Sequence, residues 1–483
     1  MLKASGVSNV FKGGKEMKKK VLSALMCVTM LTTLVAGCGS SASSSGSSGG
    51  DDTDSVNGES GTEESTESDV VTTTAGDENG THMEMWSFVE LHNTFYADMV
   101  EKWNEENPDR TIYVTFTTYP YADMHDKLLM SLQAGTGAPD ICDVEVGQFP
   151  NVVAGEDTWL YPLDDAITPY KDSMVQSRLD TYSSGGHYYG APFHVGATVM
   201  YYNAALLEEY GIDYTQIKTW DDYTAAGEKL KEASNGEVYM TSVDTAGTDW
   251  LWLAMAEYGE DWTGGEDGSA NVQLESVKNM LTMQQQWLND GIAEVSPDGH
   301  VDLEAGFQNI LDHNIASFPK AMWYMSRFLN YMPEEKGNWA LAPCPVFEEG
   351  QPCSVGIGGT GTVVTQQSSD PELAADFLCF AKCSTEGEQQ IWEQLGFDVC
   401  NTDMWTDTTI TQDQSNQYIS FFRTNPFDVL NEIKDDIGKI SVVKISPTIN
   451  EQMCNITLNE VLEDGMDVDE ALQEAQDVIS LEE

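Results

Sequence analysis

The chain has 483 residues, enough for more than one hydrophobic core, and is strongly acidic, with 80 Asp and Glu, 23 Lys and Arg and a formal net charge of −57. This charge excludes nucleic acid as a partner, because phosphate binding requires clustered Lys and Arg. It also excludes a flat association with an anionic membrane, and it fits a protein that is kept from aggregating by its own charge.

Residues 1–37 are typical of a secretory signal peptide, with the true start predicted at Met17. Three lysines follow Met17 and precede an uncharged apolar run, residues 21–35, which is too short for an ordinary membrane span. Small residues then precede Cys38, and Val35-Ala36-Gly37-Cys38 resembles the bacterial lipobox. This resemblance implies a lipid on Cys38 and a location at the extracellular face of the cytoplasmic membrane. A conventional secretory signal with a chance cysteine is the alternative.

Residues 38–82 are predicted to be a disordered tether between the lipid and the folded protein. Residues 40–50 are nearly all Ser and Gly, and residues 51–80 contain ten acids and no Lys or Arg. Large apolar side chains are too few here to offset the entropy of ordering the chain.

From Met83 onward, predicted strands alternate with predicted helices. β-branched and aromatic runs predict strands over residues 83–88, 111–119, 141–146 and 238–243. Apolar spacing predicts helices over residues 91–105 and 467–481 and a helix that ends at Gly135. Capping residues predict a helix from Thr219 to near Ala233 and one that begins at Asp370-Pro371. They also predict a helix from Thr385, with Glu388 as its capping partner, to Gly396. This alternation predicts an α/β fold with a parallel sheet covered on both faces.

Side chains at the ends of the predicted strands are candidate ligand contacts, since ligands of open α/β sheets bind outside the carboxyl ends of the strands. Trp86 is the candidate stacking residue of the first strand, and Asp143 and Glu145 end the third strand. Asp244 and Trp250 follow the strand 238–243. Rings beside carboxylates suit a sugar, because its ring faces are apolar and its hydroxyl edges need polar partners.

Several short motifs in a fixed order resemble those of one protein family. In chain order they are Glu101-Lys102-Trp103-Asn104-Glu105-Glu106-Asn107-Pro108, Leu132-Gln133-Ala134-Gly135-Thr136-Gly137-Ala138-Pro139-Asp140-Ile141, Tyr189-Gly190-Ala191-Pro192-Phe193, Tyr201-Tyr202-Asn203, Lys218-Thr219-Trp220-Asp221-Asp222 and Gly358-Gly359-Thr360-Gly361. Together they resemble, over residues 83–482, the family 1 extracellular solute-binding proteins of bacterial ABC importers, the maltose-binding-protein type.

This resemblance implies a two-lobe periplasmic-binding-protein-like fold with a hinge and a ligand cleft between the lobes. The first lobe would comprise residues 83–193 and 345–384, and the second lobe residues 194–344 and 385–483. The chain would cross between the lobes near residues 189–194, 339–345 and 381–385.

The resemblance also assigns candidate site residues. Trp323 matches the position of a ligand-stacking tryptophan, and Tyr324 is next to it. His194 or Gly196 occupies the hinge position that is often acidic in maltose binders, so the ligand can differ from theirs.

The stretch Gly356-Ile357-Gly358-Gly359-Thr360-Gly361 fits the dinucleotide-binding pattern, but a Pro-containing loop precedes it and a strand is predicted after it. It is interpreted instead as backbone packed close to the cleft, with Gly359 and Thr360 as candidate contacts. The motifs predict no cofactor and no metal. The seven cysteines after Cys38 are an odd number and are predicted to be buried free thiols.

The predicted function is therefore that of a monomeric binding protein, not an enzyme. It captures a carbohydrate, favoured as an oligosaccharide, and delivers it to the membrane permease subunits of an ABC importer. One alternative is a secreted glycoside hydrolase, which needs two carboxylates across its cleft. Another is a binder of a non-sugar solute such as a peptide or a polyol.

Overall fold

A computed structural model of the protein describes residues 70–263 and 269–482. The predicted signal peptide, the lipidation site Cys38 and most of the predicted tether lie outside these residues. Across the ranges that the structure describes, no helix is both long enough and apolar enough to cross a membrane.

Short strands form the sheets of the molecule. They are β1 Val71–Gly76, β2 Thr81–Ser87, β3 Ile112–Thr118, β4 Ile141–Glu145, β5 Ser183–Ser184, β6 His187–Tyr188, β7 Gly190–Pro192, β8 Thr198–Asn203, β9 Thr241–Val243, β10 Ala293–Val295, β11 Ser317–Ala321, β12 Trp339–Ala342, β13 Ser354–Val355, β14 Thr360–Val364 and β15 Ile437–Gly438.

Helices cover the sheets and form most of the C-terminal part. They are α1 Glu90–Glu106, α2 Tyr121–Ala134, α3 Phe149–Val153, α4 Asp164–Ile167, α5 Gln176–Thr181, α6 Ala204–Glu209, α7 Trp220–Ala233, α8 Asp249–Tyr258, α9 Glu275–Asp290, α10 Glu304–Leu311, α11 Met325–Tyr331, α12 Pro371–Cys383, α13 Thr385–Leu395, α14 Thr408–Thr411, α15 Pro426–Ile433, α16 Ser446–Gln452, α17 Leu458–Leu462 and α18 Val468–Ile479. A π-helical stretch, Met453–Thr457, joins α16 to α17.

The first sheet has six strands in the order β1-β3-β2-β4-β14-β7. Its centre is parallel, because β2 pairs in parallel with both β3 and β4. The strands β1, β14 and β7 pair antiparallel, so the predicted parallel sheet is correct for the centre and wrong for the edges. The second sheet is antiparallel with the order β11-β8-β12, and β9 and β10 form a parallel pair.

Strand β1 corrects the predicted extent of the tether. It lies inside residues 38–82 and pairs antiparallel with β3 along its whole length. The run of Val and Thr from Val70 to Thr74 favours a strand, and this local preference outweighs the polar composition of the surrounding segment. The folded part therefore begins before Met83.

Strand β8 shows how the second sheet is buried. All six of its residues are buried, and successive side chains point to opposite faces of the sheet. Val199 and Tyr201 belong to one hydrophobic core, and Met200 and Tyr202 belong to another. The second sheet is thus covered on both sides.

Two of the three predicted lobe crossings are misplaced. Trp339–Ala342 form β12, which is hydrogen-bonded to β8 inside the second sheet, so the chain has not yet left that sheet at this point. It returns to the first sheet through residues 356–359, between β13 and β14. Residues 381–385 join α12 to α13, and both helices pack against α1 of the first sheet, so no crossing occurs there. From β7 to β8 the chain passes through residues 193–197.

The helix boundaries follow local chemistry. The capping box of α7 is confirmed, because the Thr219 side chain accepts from Asp222 and the Asp222 side chain accepts from the Thr219 amide. Gly135 and Gly396 end α2 and α13 in the left-handed conformation, with φ of 67° and 66°. The capping box predicted for Thr385 is wrong, because Ser384 caps α13 through the Gly387 amide.

Candidate ligand-binding cleft

A cavity of about 550 Å³ lies between the carboxyl end of β4, the start of α8, the crossing segment at residues 357–358 and the C-terminal part. One wall is formed by residues 145–148 at the end of β4, and a second by Ala246, Thr248, Asp249 and Trp252 around the start of α8. The crossing residues Ile357 and Gly358 and several side chains from residues 446–455 of the C-terminal part complete the cavity. Two of these walls follow the carboxyl ends of strands, where ligands of α/β sheets bind. The volume lies within the range of roughly 300–1,000 Å³ that is usual for small-molecule sites.

Glu145, the last residue of β4, contributes a carboxylate to this cavity. Its Oε2 accepts hydrogen bonds from the Tyr121 hydroxyl at 3.1 Å and from the Gly147 amide at 2.7 Å. Its own amide donates to His125 Nε2 at 3.1 Å, so His125 carries its hydrogen on Nδ1, which donates to the Tyr121 carbonyl at 2.8 Å. Burial raises the pKa of Glu145. Glu145 is therefore a fixed hydrogen-bonding group at the first wall.

Asp249, in the first turn of α8, contributes a second carboxylate from another wall. Lys320 Nζ lies 2.5 Å from Asp249 Oδ2 and 4.0 Å from Asp244 Oδ2. Burial opposes the charged form of Lys320, but the carboxylates of Asp249 and Asp244 outweigh it and raise the pKa of the lysine. Burial would likewise raise the pKa of Asp249, and the charge of Lys320 lowers it instead. Asp249 is therefore an ionised acceptor at neutral pH.

Two tryptophans, Trp252 and Trp262, form an aromatic corner of the cavity. Their ring centroids are 6.4 Å apart and the rings are nearly perpendicular, at 87°. Neither indole Nε1 has a hydrogen-bond acceptor among the residues that the structure describes. Both Nε1 atoms are buried, and because buried polar groups are normally hydrogen-bonded, two unpaired donors are an unusual feature of this corner. The Trp252 ring is partly exposed and offers apolar surface, whereas Trp262 is 1% exposed and belongs to the hydrophobic core.

Trp323 follows β11 and lies beside the cleft, half-buried. Its Nε1 donates to the Ile357 carbonyl at 3.3 Å, and the charged groups of Arg327 and Lys320 lie 5.3 and 5.9 Å from its ring centroid. Ile357 lines the cavity, whereas Trp323 does not. Its role as a platform for the ligand stays a prediction.

Two other predicted aromatic contacts are core residues. Trp250 is 3% exposed and packs against Trp220 and Trp287, with ring centroids 5.7 and 5.8 Å away. Tyr324 is fully buried, and its hydroxyl donates to the Val301 carbonyl at 3.1 Å. Both rings lie in the protein interior and neither lines the cavity, so their predicted contact with the ligand stays an untested prediction.

Asp143 was expected to face the cleft beside Glu145, and this expectation is wrong. Its carboxylate accepts hydrogen bonds from His92 Nδ1 at 2.9 Å, the Tyr96 hydroxyl at 3.1 Å and the Thr362 hydroxyl at 2.6 Å. Burial would raise the pKa of Asp143, but the hydrogen bond and charge of His92 and the charge of Lys382 lower it overall. Helix α1 covers this end of the strand, so only Glu145 reaches the cavity.

Asp244 and Trp86 are also buried and lie behind the cavity walls. Asp244 Oδ1 accepts hydrogen bonds from the Ser296 hydroxyl at 2.6 Å and from the Val301 amide at 3.0 Å. The Trp86 ring lies 4.4 Å from Lys127 Nζ and is covered by Tyr119 in an edge-to-face contact. Neither residue lines the cavity, and their places as ligand contacts stay untested predictions.

The remaining predicted residues, His194, Gly359 and Thr360, belong to the crossing segments or border them. His194 is buried with its Nδ1 3.7 Å from Asp398 Oδ1, and burial lowers its pKa well below the usual range. Gly359 has a φ of 114°, and a Cβ there would lie 2.3 Å from Arg178 Nη2, so only glycine fits. Thr360 is buried in β14 opposite Glu145.

The model of a known family, the bacterial extracellular solute-binding proteins, matches residues 87–382. The chain belongs to this family. A relative from Halalkalibacterium halodurans, named arabinooligosaccharide-binding protein, is 39% identical over 83% of this chain and 89% of its own length. A relative of the same name from Bacillus subtilis is 36% identical over 88% of this chain and 90% of its own length. The family predicted from the motifs is confirmed.

The solved structure of the sugar-binding protein MalE from Xanthomonas citri has the same fold as this solute-binding protein. The TM-score is 0.69 at 18% identity, over 83% of this chain and 96% of the MalE chain. At this identity the likeness shows the fold alone. The predicted two-lobe periplasmic-binding-protein-like α/β fold is confirmed.

Sequence reasoning missed several residues that line the cleft of this solute-binding protein. They are Asp249, Trp252, Trp262 and the wall formed by residues 446–455. Asp249 could have been found, because it is the acid in the first turn of the helix that follows β9. The wall of residues 446–455 has no such signal, because it is remote in sequence from the strand ends that it faces.

Proposed function

We propose that this solute-binding protein captures an arabino-oligosaccharide and delivers it to the permease subunits of an ABC importer. The observation that carries this proposal is that the relatives from Halalkalibacterium halodurans and Bacillus subtilis share one name, arabinooligosaccharide-binding protein, and align with most of this chain. The sequence-based expectation of a carbohydrate ligand agrees with these names.

The chemistry of the cavity supports a sugar. A pentose ring presents apolar C–H groups on its faces and hydroxyls at its edge, and each hydroxyl both donates and accepts. Trp252, which is partly exposed, provides ring surface at the cavity. Glu145 and the ionised Asp249 provide acceptors on two different walls. Apolar surface with a few fixed polar groups is the usual composition of a ligand site.

We also propose that the two lobes close on the sugar by rotation about the crossing segments, without chemical change to the ligand. Residues 193–197 and 356–359 connect the two sheets, and a few residues in such segments can absorb a change in backbone angles. Ile357 and Gly358 belong to both the crossing and the cavity, which supports a ligand bound beside the axis of this motion.

We further propose that the mature protein begins at a lipidated Cys38 and is held, as a monomer, at the extracellular face of the cytoplasmic membrane. The lipobox-like Val35-Ala36-Gly37-Cys38 supports the lipid, and a two-chain lipid gives stable anchoring, whereas one chain gives marginal binding. From Cys38 onward, Asp and Glu outnumber Lys and Arg by 79 to 17, and this negative charge keeps the rest of the chain away from an anionic bilayer.

Calorimetry with arabinotriose, maltotriose and a short peptide tests the ligand, followed by chromatography of the recovered solute. We expect arabinotriose to bind with one site per chain and to be recovered intact, and maltotriose and the peptide to bind more weakly. Preferential binding of maltotriose or the peptide would refute the ligand assignment. Recovery of shortened sugar would instead identify a glycoside hydrolase.

A further inference from the structure

The segments that connect the two sheets lie side by side. The Ile357 amide donates to the Gly196 carbonyl at 2.8 Å, and Ala197 and Gly356 form an antiparallel bridge. On the other side of residues 193–197, the Val195 amide donates to the Asp398 carbonyl at 2.9 Å. A rotation of one lobe against the other would act on these hydrogen-bonded residues.

A single side chain, Arg178 of α5, spans both crossing segments. Its Nε donates to the His194 carbonyl at 3.1 Å, next to residues 195–197, and its Nη2 donates to the Gly358 carbonyl at 2.7 Å. Arg178 is 5% exposed, and the planar guanidinium fixes both carbonyls at once. Helix α5 packs against β7, so the contact is made from the side of the first sheet.

The buried guanidinium of Arg178 donates to backbone carbonyls, without a direct ion pair. Within residues 70–263 and 269–482, no carboxylate lies within ion-pair distance of its guanidinium. Glu145 and Asp398 interact with this charge from a longer distance, and the carbonyls of the crossing segments accept its hydrogen bonds. The backbone is shaped for this contact, because a side chain on Gly359 would collide with Arg178 Nη2.

The second sheet holds the neighbouring carbonyl of the same segment. Trp323, which follows β11, donates its Nε1–H to the Ile357 carbonyl at 3.3 Å. Adjacent carbonyls of residues 357 and 358 are thus held from opposite lobes, by Trp323 and by Arg178. Ile357 and Gly358 themselves line the cavity, so their two peptide groups contact the cavity, the first lobe and the second lobe.

We propose that Arg178 is a positioning residue that ties the two crossing segments together and restricts the range of lobe arrangements in the ligand-free protein. This inference rests on the proposed closure of the lobes. With the tie in place, the ligand-free protein is already close to the arrangement that binds sugar. Without it, the crossing segments rotate more freely, and sugar must order them during binding.

The test compares Arg178→Met, Arg178→Lys and a matched control, Arg110→Met, in the full chain carrying Cys38→Ala so that no lipid is attached. Arg110 is also an arginine on the side of the first sheet, but it is exposed and pairs with Asp376 at 2.7 Å. The readouts are the radius of gyration from X-ray scattering, with and without arabinotriose, and the affinity for arabinotriose from calorimetry.

We expect Arg178→Met to increase the radius of gyration without ligand and to return to the reference value at saturation, since the bound sugar then holds the lobes. Its affinity should fall about tenfold, because sugar binding then also has to order the crossing segments. For Arg178→Lys, the ligand-free radius of gyration and the affinity should lie between those of Arg178→Met and of the reference protein, because a lysine reaches one carbonyl but not both. Arg110→Met should match the reference in both readouts.

A lower melting temperature with unchanged radius and affinity would show that Arg178 only stabilises the fold, and would overturn the proposal. If Arg178→Met does not fold, Arg178→Lys decides: an enlarged ligand-free radius supports the proposal, and an unchanged one overturns it. If the reference protein binds no sugar, the proposed function fails, but the ligand-free scattering still decides the role of Arg178.

Discussion

Two tryptophans in α8, Trp250 and Trp252, give the sharpest test of where the cleft lies. Positions two apart in a helix point to nearly opposite faces, so one ring enters the core and the other reaches the cavity. Trp250 packs against Trp220 and Trp287, whereas Trp252 is half-buried with an unpaired indole N–H. Alanine at the two positions should therefore damage different properties.

Trp252→Ala should weaken arabinotriose binding and leave folding cooperative. Loss of an aromatic anchor from a desolvated site costs about 2 kcal/mol, roughly a thirtyfold weaker affinity. Trp252→Phe keeps a ring but removes the N–H donor, which is worth about 1 kcal/mol or roughly fivefold. Trp250→Ala should instead lower the free energy of unfolding by about 3–5 kcal/mol, the usual cost of removing a large aromatic side chain from a core. Calorimetry and denaturant unfolding measure the two effects.

The opposite pattern would refute the placement of the cleft. If Trp252→Ala unfolds at much lower denaturant while its folded fraction binds normally, Trp252 is a core residue. If Trp250→Ala binds more weakly at full folding, the ligand lies deeper than the cavity at Trp252. If Trp252→Ala and Trp252→Phe lose the same amount of affinity, the indole N–H, rather than the ring, carries the interaction.

Three further outcomes are expected. Trp323→Ala should bind arabinotriose roughly thirtyfold more weakly by calorimetry; normal binding would exclude a ring platform at that position. Burial raises the pKa of Glu257 to about 8, so the stability that its protonated form contributes is lost as the pH rises from its ordinary pKa towards 8. Glu257→Gln should therefore flatten the melting temperature between about pH 5 and 8, and an unchanged profile would contradict this. Cys38→Ala should move the protein from the membrane fraction to the medium; continued membrane retention would exclude lipid anchoring through Cys38.

Local sequence signals predicted the elements around the first sheet well. The strands around Met83 and Ile141, and the helix that Gly135 ends, lie where apolar spacing and turn residues placed them. Such signals act over a few residues, through a glycine that adopts positive φ or a side chain that caps its own helix. For the same reason the motifs, which are also local, were sufficient to identify the family.

Positions that depend on tertiary packing were predicted poorly. Asp143 and Glu145 alternate identically along β4, yet α1 covers one and the cavity receives the other. The third-crossing prediction failed because α13 continues to pack against α1 after the short turn at residue 384. Neither outcome is encoded in the few residues around these positions, because each depends on a helix that is distant in the chain.

The C-terminal wall of the cavity explains why family membership alone does not define the ligand. The family match ends at residue 382, whereas residues 446–455 contribute Asn450, Glu451 and Asn455 to the cavity. Part of this wall is π-helical, and a π-helical turn changes the direction of the side chains that follow, which is common at functional sites. If the ligand binds in this cavity, a segment beyond the family match contributes to the choice of ligand. The two relatives that align with most of this chain are the stronger guide to its ligand, because so long an alignment compares more of the cleft than residues 87–382 do.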